Sequence, residues 1–154
     1  MRSFNEADKK KKRARIQVQE NPGDLSKEVL LQLEDKITVL LRDGYLTCAT
    51  AHKIARDANV PKIAVGEVVD RLGIRIINCQ IGCFNVDKTI HEKLEHKKID
   101  DKIISRIETL GKNNKLTCAI VFELASQLKI APMTIADVAN YLNIRIHNCQ
   151  LGCF

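Results

Sequence analysis

Six cysteines are the residues of this chain best suited to chemistry, and they form two sets of three positions. An offset of 70 residues relates the sets, pairing Cys48 with Cys118, Cys79 with Cys149, and Cys83 with Cys153. The last two positions of each set lie in a repeated heptapeptide, Asn-Cys-Gln-[Ile/Leu]-Gly-Cys-Phe. Because thiolates are soft metal ligands and redox-active nucleophiles, the pattern points to metal or redox chemistry.

The two heptapeptides together would supply four thiolates if the copies met about a pseudo-twofold axis. Four thiolates suit zinc or an iron–sulfur cluster. The predicted metal ligands are Cys79, Cys83, Cys149 and Cys153. Two other interpretations stay open: a reversible disulfide within each Cys-x-x-x-Cys pair, or burial of the sulfurs beside a tight turn at Gly82 and Gly152.

Cys48 and Cys118 each follow a threonine that can cap a helix. An exposed thiol at the first turn of a helix has a depressed pKa, so both are candidate redox residues. The competing interpretation is that they are small packing residues between helices.

The cysteines belong to an internal repeat. Aligning residues 46–84 with 116–154 without gaps gives 16 identities in 39 positions, which indicates two copies of one structural unit. Apolar spacing predicts three helices and a short strand in each copy. The predicted ranges are 24 or 26 to 44, 47–58, 63–72 and 74–77, then 99–111, 117–128, 133–142 and 144–147. The fold class is therefore mainly α.

The second and third predicted helices resemble a helix-turn-helix unit. The apolar positions Ile54, Ala55 and Val65 have the spacing of that motif and recur in the second copy. The following strand resembles the start of a winged-helix wing. The motif often has Gly at its turn, where this chain has Asn59 and Lys129. The resemblance implies that each third helix enters the DNA major groove. Candidate contacts there and on the strands are Lys62, Arg71, Arg75, Thr134 and Arg145.

Positive charge is concentrated at the N-terminus. Residues 1–15 hold five of the six net positive charges. We expect residues 1–24 to be a disordered arm, followed by repeat 1 at 25–84 and a linker with repeat 2 at 85–154. The arm either contacts nucleic-acid phosphates or serves as a solubilising tail. Its candidate phosphate contacts are Lys9, Lys10, Lys11, Lys12, Arg13 and Arg15.

The sequence shows no Gly-rich phosphate loop, paired carboxylates or nucleophile–base signature, so we expect a non-catalytic protein. It lacks a run of roughly 20 apolar residues, and we expect a cytoplasmic protein with no membrane partner. The predicted function is a nucleic-acid-binding regulator, with DNA as the partner. The alternative is a protein-interaction or metal-handling accessory factor that docks a partner protein, and a small thiol-redox protein is a third possibility.

Overall fold

The computed structural model describes residues 4–16, 19–84 and 99–154. These residues are mainly helical, as predicted, and form seven helices that hold 56% of them. The chain divides into two compact units. Unit 1 comprises Met1–Cys79 and Gln150–Phe154, and unit 2 comprises Gln80–Cys149. Each heptapeptide is thus divided between the units, after Cys79 and after Cys149.

Unit 1 begins with a helix where the sequence predicts a disordered arm. This helix, α1, spans Glu6–Arg15. Asn5 and Asp8 form a reciprocal capping box at its start, and the cations of its last turn favour the negative end of the helix dipole. Local interactions thus support a helix that lacks any buried residue.

Three more helices and a small sheet complete unit 1. They are α2 (Lys27–Val39), β1 (Tyr45–Thr47), α3 (Cys48–Asp57), α4 (Lys62–Arg71) and β2 (Arg75–Ile77). Helix α2 ends before the predicted Gly44, because Asp43 and Gly44 adopt positive φ angles of 53° and 80° in a turn. The side chain of Thr47 caps α3, as predicted, by accepting a hydrogen bond from the Thr50 amide at 3.1 Å.

Strand β2 pairs in parallel with β1, with Leu46 opposite Ile76. Within the described residues, the sheet consists of these two strands. A winged-helix wing is an antiparallel hairpin, so β2 does not start a wing within residues 19–84. The pairing instead joins the segment before α3 to the segment after α4.

Unit 2 contains α5 (Asp101–Lys112), α6 (Cys118–Leu128) and α7 (Pro132–Tyr141). Its predicted strand is reduced to a parallel bridge between Thr117 and His147. This bridge lies 70 residues after the Thr47–Ile77 pair of unit 1. Lys129 takes the left-handed conformation at the end of α6, with φ of 53°, as Asn59 does after α3 with φ of 52°. The turn conformation is thus retained without glycine.

Buried aliphatic side chains form the cores of both units. Leu33, Ile37 and Leu46 are almost fully buried in unit 1, as Ile107 and Leu116 are in unit 2. In the described part of the chain, no single helix is long and apolar enough to span a membrane. Helices α6 and α7 pass that test only as a pair, bent by 117°.

Candidate nucleic-acid interface

The six predicted phosphate-binding cations of α1 fall into two groups that differ in exposure. The side chains of Lys9 and Lys12 are only 16% and 13% exposed. Lys10, Lys11, Arg13 and Arg15 are exposed. Four of the six predicted cations are therefore exposed, and although burial raises the pKa of the Asp70 carboxyl on α4, one of these cations, Arg13, lowers it.

The two inward lysines attach α1 to α4. Lys12 Nζ lies 2.5 Å from Asp70 Oδ2, and Lys9 Nζ donates to the carbonyl oxygen of Arg71 at 3.3 Å. Lys9 also pairs with Glu6 on its own helix at 2.7 Å. Because the Arg71 carbonyl lies at the C-terminal end of α4, a lysine there also favours that helix dipole.

Phe4 and Asp8 provide the remaining attachment. The Lys12 ammonium and the Arg75 guanidinium lie 5.6 Å and 5.7 Å from the centroid of the Phe4 ring. Arg75 also pairs with Asp8 at 3.5 Å. Arg75, a predicted phosphate contact, thus takes part in holding α1.

Two carboxylates of α4 face the cleft beneath α1. Burial raises the pKa of Asp70, and the nearby Lys12 opposes that rise. Glu67 Oε2 is buried and has no hydrogen-bond partner among the described residues. Both side chains line a cleft of about 40 Å³ together with Lys9, Lys12 and Arg71.

The face of α4 predicted to read bases is covered within unit 1. Lys62 Nζ donates to Gln150 Oε1 at 3.0 Å. A Cβ atom on Gly66 would lie 2.8 Å from the carbonyl carbon of Leu151, so the backbone of the C-terminal segment lies directly against this helix. Arg71 is exposed but pairs with Glu34 at 2.7 Å. Neither cation is positioned as a base reader.

Helix α7 is similarly enclosed. Its five consecutive residues from Ile135 to Ala139 are all buried, including Asp137 at 6% exposure. Thr134 is half-buried and Arg145 is exposed. A recognition helix needs an exposed face to enter the major groove. The burial of α4 and α7 therefore argues against base readout by either helix.

The cysteines do not assemble into the expected four-thiolate centre. Across residues 4–16, 19–84 and 99–154, no three Cys, His, Asp or Glu side chains are grouped to hold a metal ion. All six cysteines are thiols: Cys48, Cys79 and Cys118 are buried, Cys149 and Cys153 are half-buried, and Cys83 is exposed. The boundary between the units falls inside each Cys-x-x-x-Cys motif, after Cys79 and after Cys149. Cys48 and Cys118, the candidate redox residues, do begin helices as predicted.

Sequence reasoning missed the residues that hold α1. Asp70 was missed because an acidic residue in an amphipathic helix is usually solvated. Phe4 offered a signal: it is an isolated aromatic residue just before a charged block. If Phe4 is interpreted as an anchor, it predicts that the helix following it is attached to the rest of unit 1.

Comparison with protein families, curated proteins and solved structures found no match.

Proposed function

We propose that this chain is a cytoplasmic, non-catalytic regulator that binds nucleic acid through phosphate contacts made by α1. The supporting observation is the exposure of four cations of α1, which are Lys10, Lys11, Arg13 and Arg15. Such a cluster releases counterions when it neutralises phosphates, which favours binding without requiring base recognition. The contacts between α1 and α4 fix the position of the helix that carries the four charges.

In this proposal, the remaining helices form two helix-turn-helix-like units that act as a scaffold. The order of helices and the left-handed turns at Asn59 and Lys129 support that interpretation. The parallel pairs Thr47–Ile77 and Thr117–His147 are related by the 70-residue offset of the repeat. Phosphate contacts give affinity and register, whereas base contacts give sequence specificity. We therefore expect weak discrimination between DNA sequences.

The test is a salt titration of binding to a fluorescent mixed-sequence duplex. One variant replaces the four exposed cations of α1 with glutamine. The matched control replaces four exposed cations elsewhere, removing the same charge: Lys27, Lys36, Lys53 and Lys112.

The α1 variant should lower the slope of log K against log[salt] by about 3 to 4, at roughly 0.9 per lost phosphate contact. The control should retain most of the wild-type slope. Equal slopes for wild type and α1 variant would remove α1 from the interface, and equal losses in both variants would indicate a diffuse charge effect.

A second candidate, docking of a partner protein, is favoured by exposed apolar side chains on and just after α2. Leu31, Val39 and Leu40 are 52%, 81% and 45% exposed. Exposed apolar side chains are common singly, but neighbouring ones such as Val39 and Leu40 are typical of interaction surfaces. Cross-linking of the whole chain in cells, compared with a Leu31→Ser/Val39→Ser variant, tests this candidate. Loss of a cross-linked partner in that variant, with DNA binding retained, would favour docking.

A further inference from the structure

The C-terminal segment, Gln150–Phe154, packs as part of unit 1, although the rest of its repeat belongs to unit 2. Leu151 is only 1% exposed, and Gly152 is buried as well. Lys62 Nζ donates a hydrogen bond to Gln150 Oε1 at 3.0 Å. A pentapeptide from the second repeat therefore occupies a site on α4 of unit 1.

Two residues of α4 fit this site to a peptide. Gly66 lies inside α4 without a positive φ angle, so its conformation does not require glycine. Glycine is a poor helix former, and its presence here needs another reason. A Cβ atom at Gly66 would lie 2.8 Å from the carbonyl carbon of Leu151, so the missing side chain makes room for the peptide backbone. Lys62, one turn earlier, supplies the donor for the side-chain amide of Gln150.

The corresponding helix of unit 2 lacks both features. At the 70-residue offset, α7 has Pro132 in place of Lys62 and Ala136 in place of Gly66. The side chain of proline has no donor, and alanine carries the Cβ atom that the site on α4 excludes. The site is therefore specific to unit 1 and is not a general property of the repeated helix.

The chain carries two pentapeptides of this kind. Gln80–Phe84 differs from Gln150–Phe154 only in having Ile81 in place of Leu151. It belongs to unit 2, and Ile81 is 1% exposed. Each unit therefore includes the pentapeptide that comes from the other repeat. Exchange of a like segment between two chains is a low-cost route to dimers, because the contacts of the segment are kept.

We propose that the surface of α4 around Lys62 and Gly66 is a binding site for the peptide Gln-Leu-Gly-Cys-Phe, and that a second copy of this chain is the partner that supplies it. Two copies exchange their C-terminal segments, and the α4 helix of each copy then holds the segment of the other. The chain's own segment is tethered and has a high effective concentration at the site. The exchanged dimer therefore becomes more populated as the protein concentration rises. This interaction uses no cation of α1 and is independent of the proposed phosphate contacts.

Two full-length variants test the exchange by complementation. Gly66→Ala blocks the site and keeps the segment, whereas Leu151→Asp keeps the site and disables the segment. In sedimentation velocity, each variant alone should be a monomer. Their equimolar mixture should form a one-to-one dimer whose fraction rises with concentration. The matched control mixes Gly66→Ala with Gly66→Ala/Leu151→Asp, a pair without an open site, and should stay monomeric.

A second measurement uses isotopically labelled Leu151→Asp chain and the synthetic peptide Gln-Leu-Gly-Cys-Phe, kept reduced. The NMR amide signals of Lys62 and Gly66 should shift with peptide concentration until they saturate. A peptide with aspartate in place of leucine should leave them unchanged. Circular dichroism checks that the variants fold, and Leu151→Ala replaces Leu151→Asp if the aspartate variant does not.

A mixture of the two variants that stays monomeric at millimolar concentration would overturn the second copy as the partner. A dimer in either variant alone would also do so, because the contact would then lie on another surface. Amide signals that ignore the leucine peptide would overturn the binding site on α4.

Discussion

The replacement of Gly66 by alanine tests how closely the C-terminal segment packs on α4. A Cβ atom at Gly66 would lie 2.8 Å from the carbonyl carbon and 3.2 Å from the Cα atom of Leu151. These are backbone atoms, which cannot rotate away as the end of a side chain can. The chain can relieve the overlap by releasing Gln150–Phe154, so the cost of that release sets the upper limit of the effect.

The magnitude follows from what the release would expose. Leu151 is 1% exposed, and burial of a leucine side chain contributes about 1.5–3 kcal/mol. The Lys62–Gln150 hydrogen bond contributes about 0.5–1.5 kcal/mol. Alanine is favoured over glycine within a helix by about 1 kcal/mol, which offsets part of the loss. We expect Gly66→Ala to destabilise unit 1 by about 2 kcal/mol.

Denaturant unfolding, monitored by hydrogen exchange of the α4 amides, measures the stability of unit 1. The alkylation rate of Cys153 measures release of the C-terminal segment. This half-buried thiol should react faster once the segment is released. Gly111→Ala is the control, since the atoms nearest to a Cβ there belong to the side chain of Ile144, at 2.6–2.8 Å, and not to the C-terminal segment. The Gly111→Ala variant should leave the alkylation rate of Cys153 unchanged. Wild-type stability and wild-type alkylation in Gly66→Ala would refute the close packing of this segment.

Three further predictions concern α1 and the helix caps. Because burial raises the Asp70 pKa and Lys12 opposes it, Lys12→Gln should raise that pKa further. Because the folded state resists ionisation of Asp70, stability falls as the pH rises from the ordinary aspartate pKa to the raised one, and this pH window should then extend upward. NMR titration of the carboxyl carbon measures the pKa of Asp70. An unchanged or lower pKa in the variant contradicts the prediction. Phe4→Ala should accelerate hydrogen exchange in α1 but not in α4, because it removes two cation–π contacts of about 0.5–1 kcal/mol each; unchanged exchange would assign α1 attachment to the ion pairs. Thr47→Ala should cost about 1 kcal/mol through loss of the α3 cap, measured by denaturant unfolding, whereas Thr38→Ala, on an exposed helix face, should have little effect; equal losses would contradict the capping role.

Repeated local patterns made most of the secondary structure predictable. Capping by Thr47 and Thr117 follows from residue type and neighbouring apolar spacing. Helix α1 was missed because its charge composition is typical of disorder, while its stabilising contact, Lys12 with Asp70, joins residues 58 positions apart. No local pattern reports such a contact.

The candidate site depended even more on long-range contacts. Lys62 has the residue type and position of a base reader, yet its side chain is held by Gln150, which lies 88 positions away. Likewise, the spacing of Cys79 and Cys83 suggests a pair, but strand pairing places Cys79 at the same end of the sheet as Cys48.

The sequence by itself determined that two related helical segments exist, that threonines begin their central helices, and that positive charge is concentrated in α1. These properties arise from interactions between residues close together in the chain. Only the tertiary structure decided which cations of α1 face outward, which heptapeptide residues pack with which unit, and which cysteines share an edge. Those outcomes depend on burial and strand register, which are set by residues brought together from distant parts of the chain.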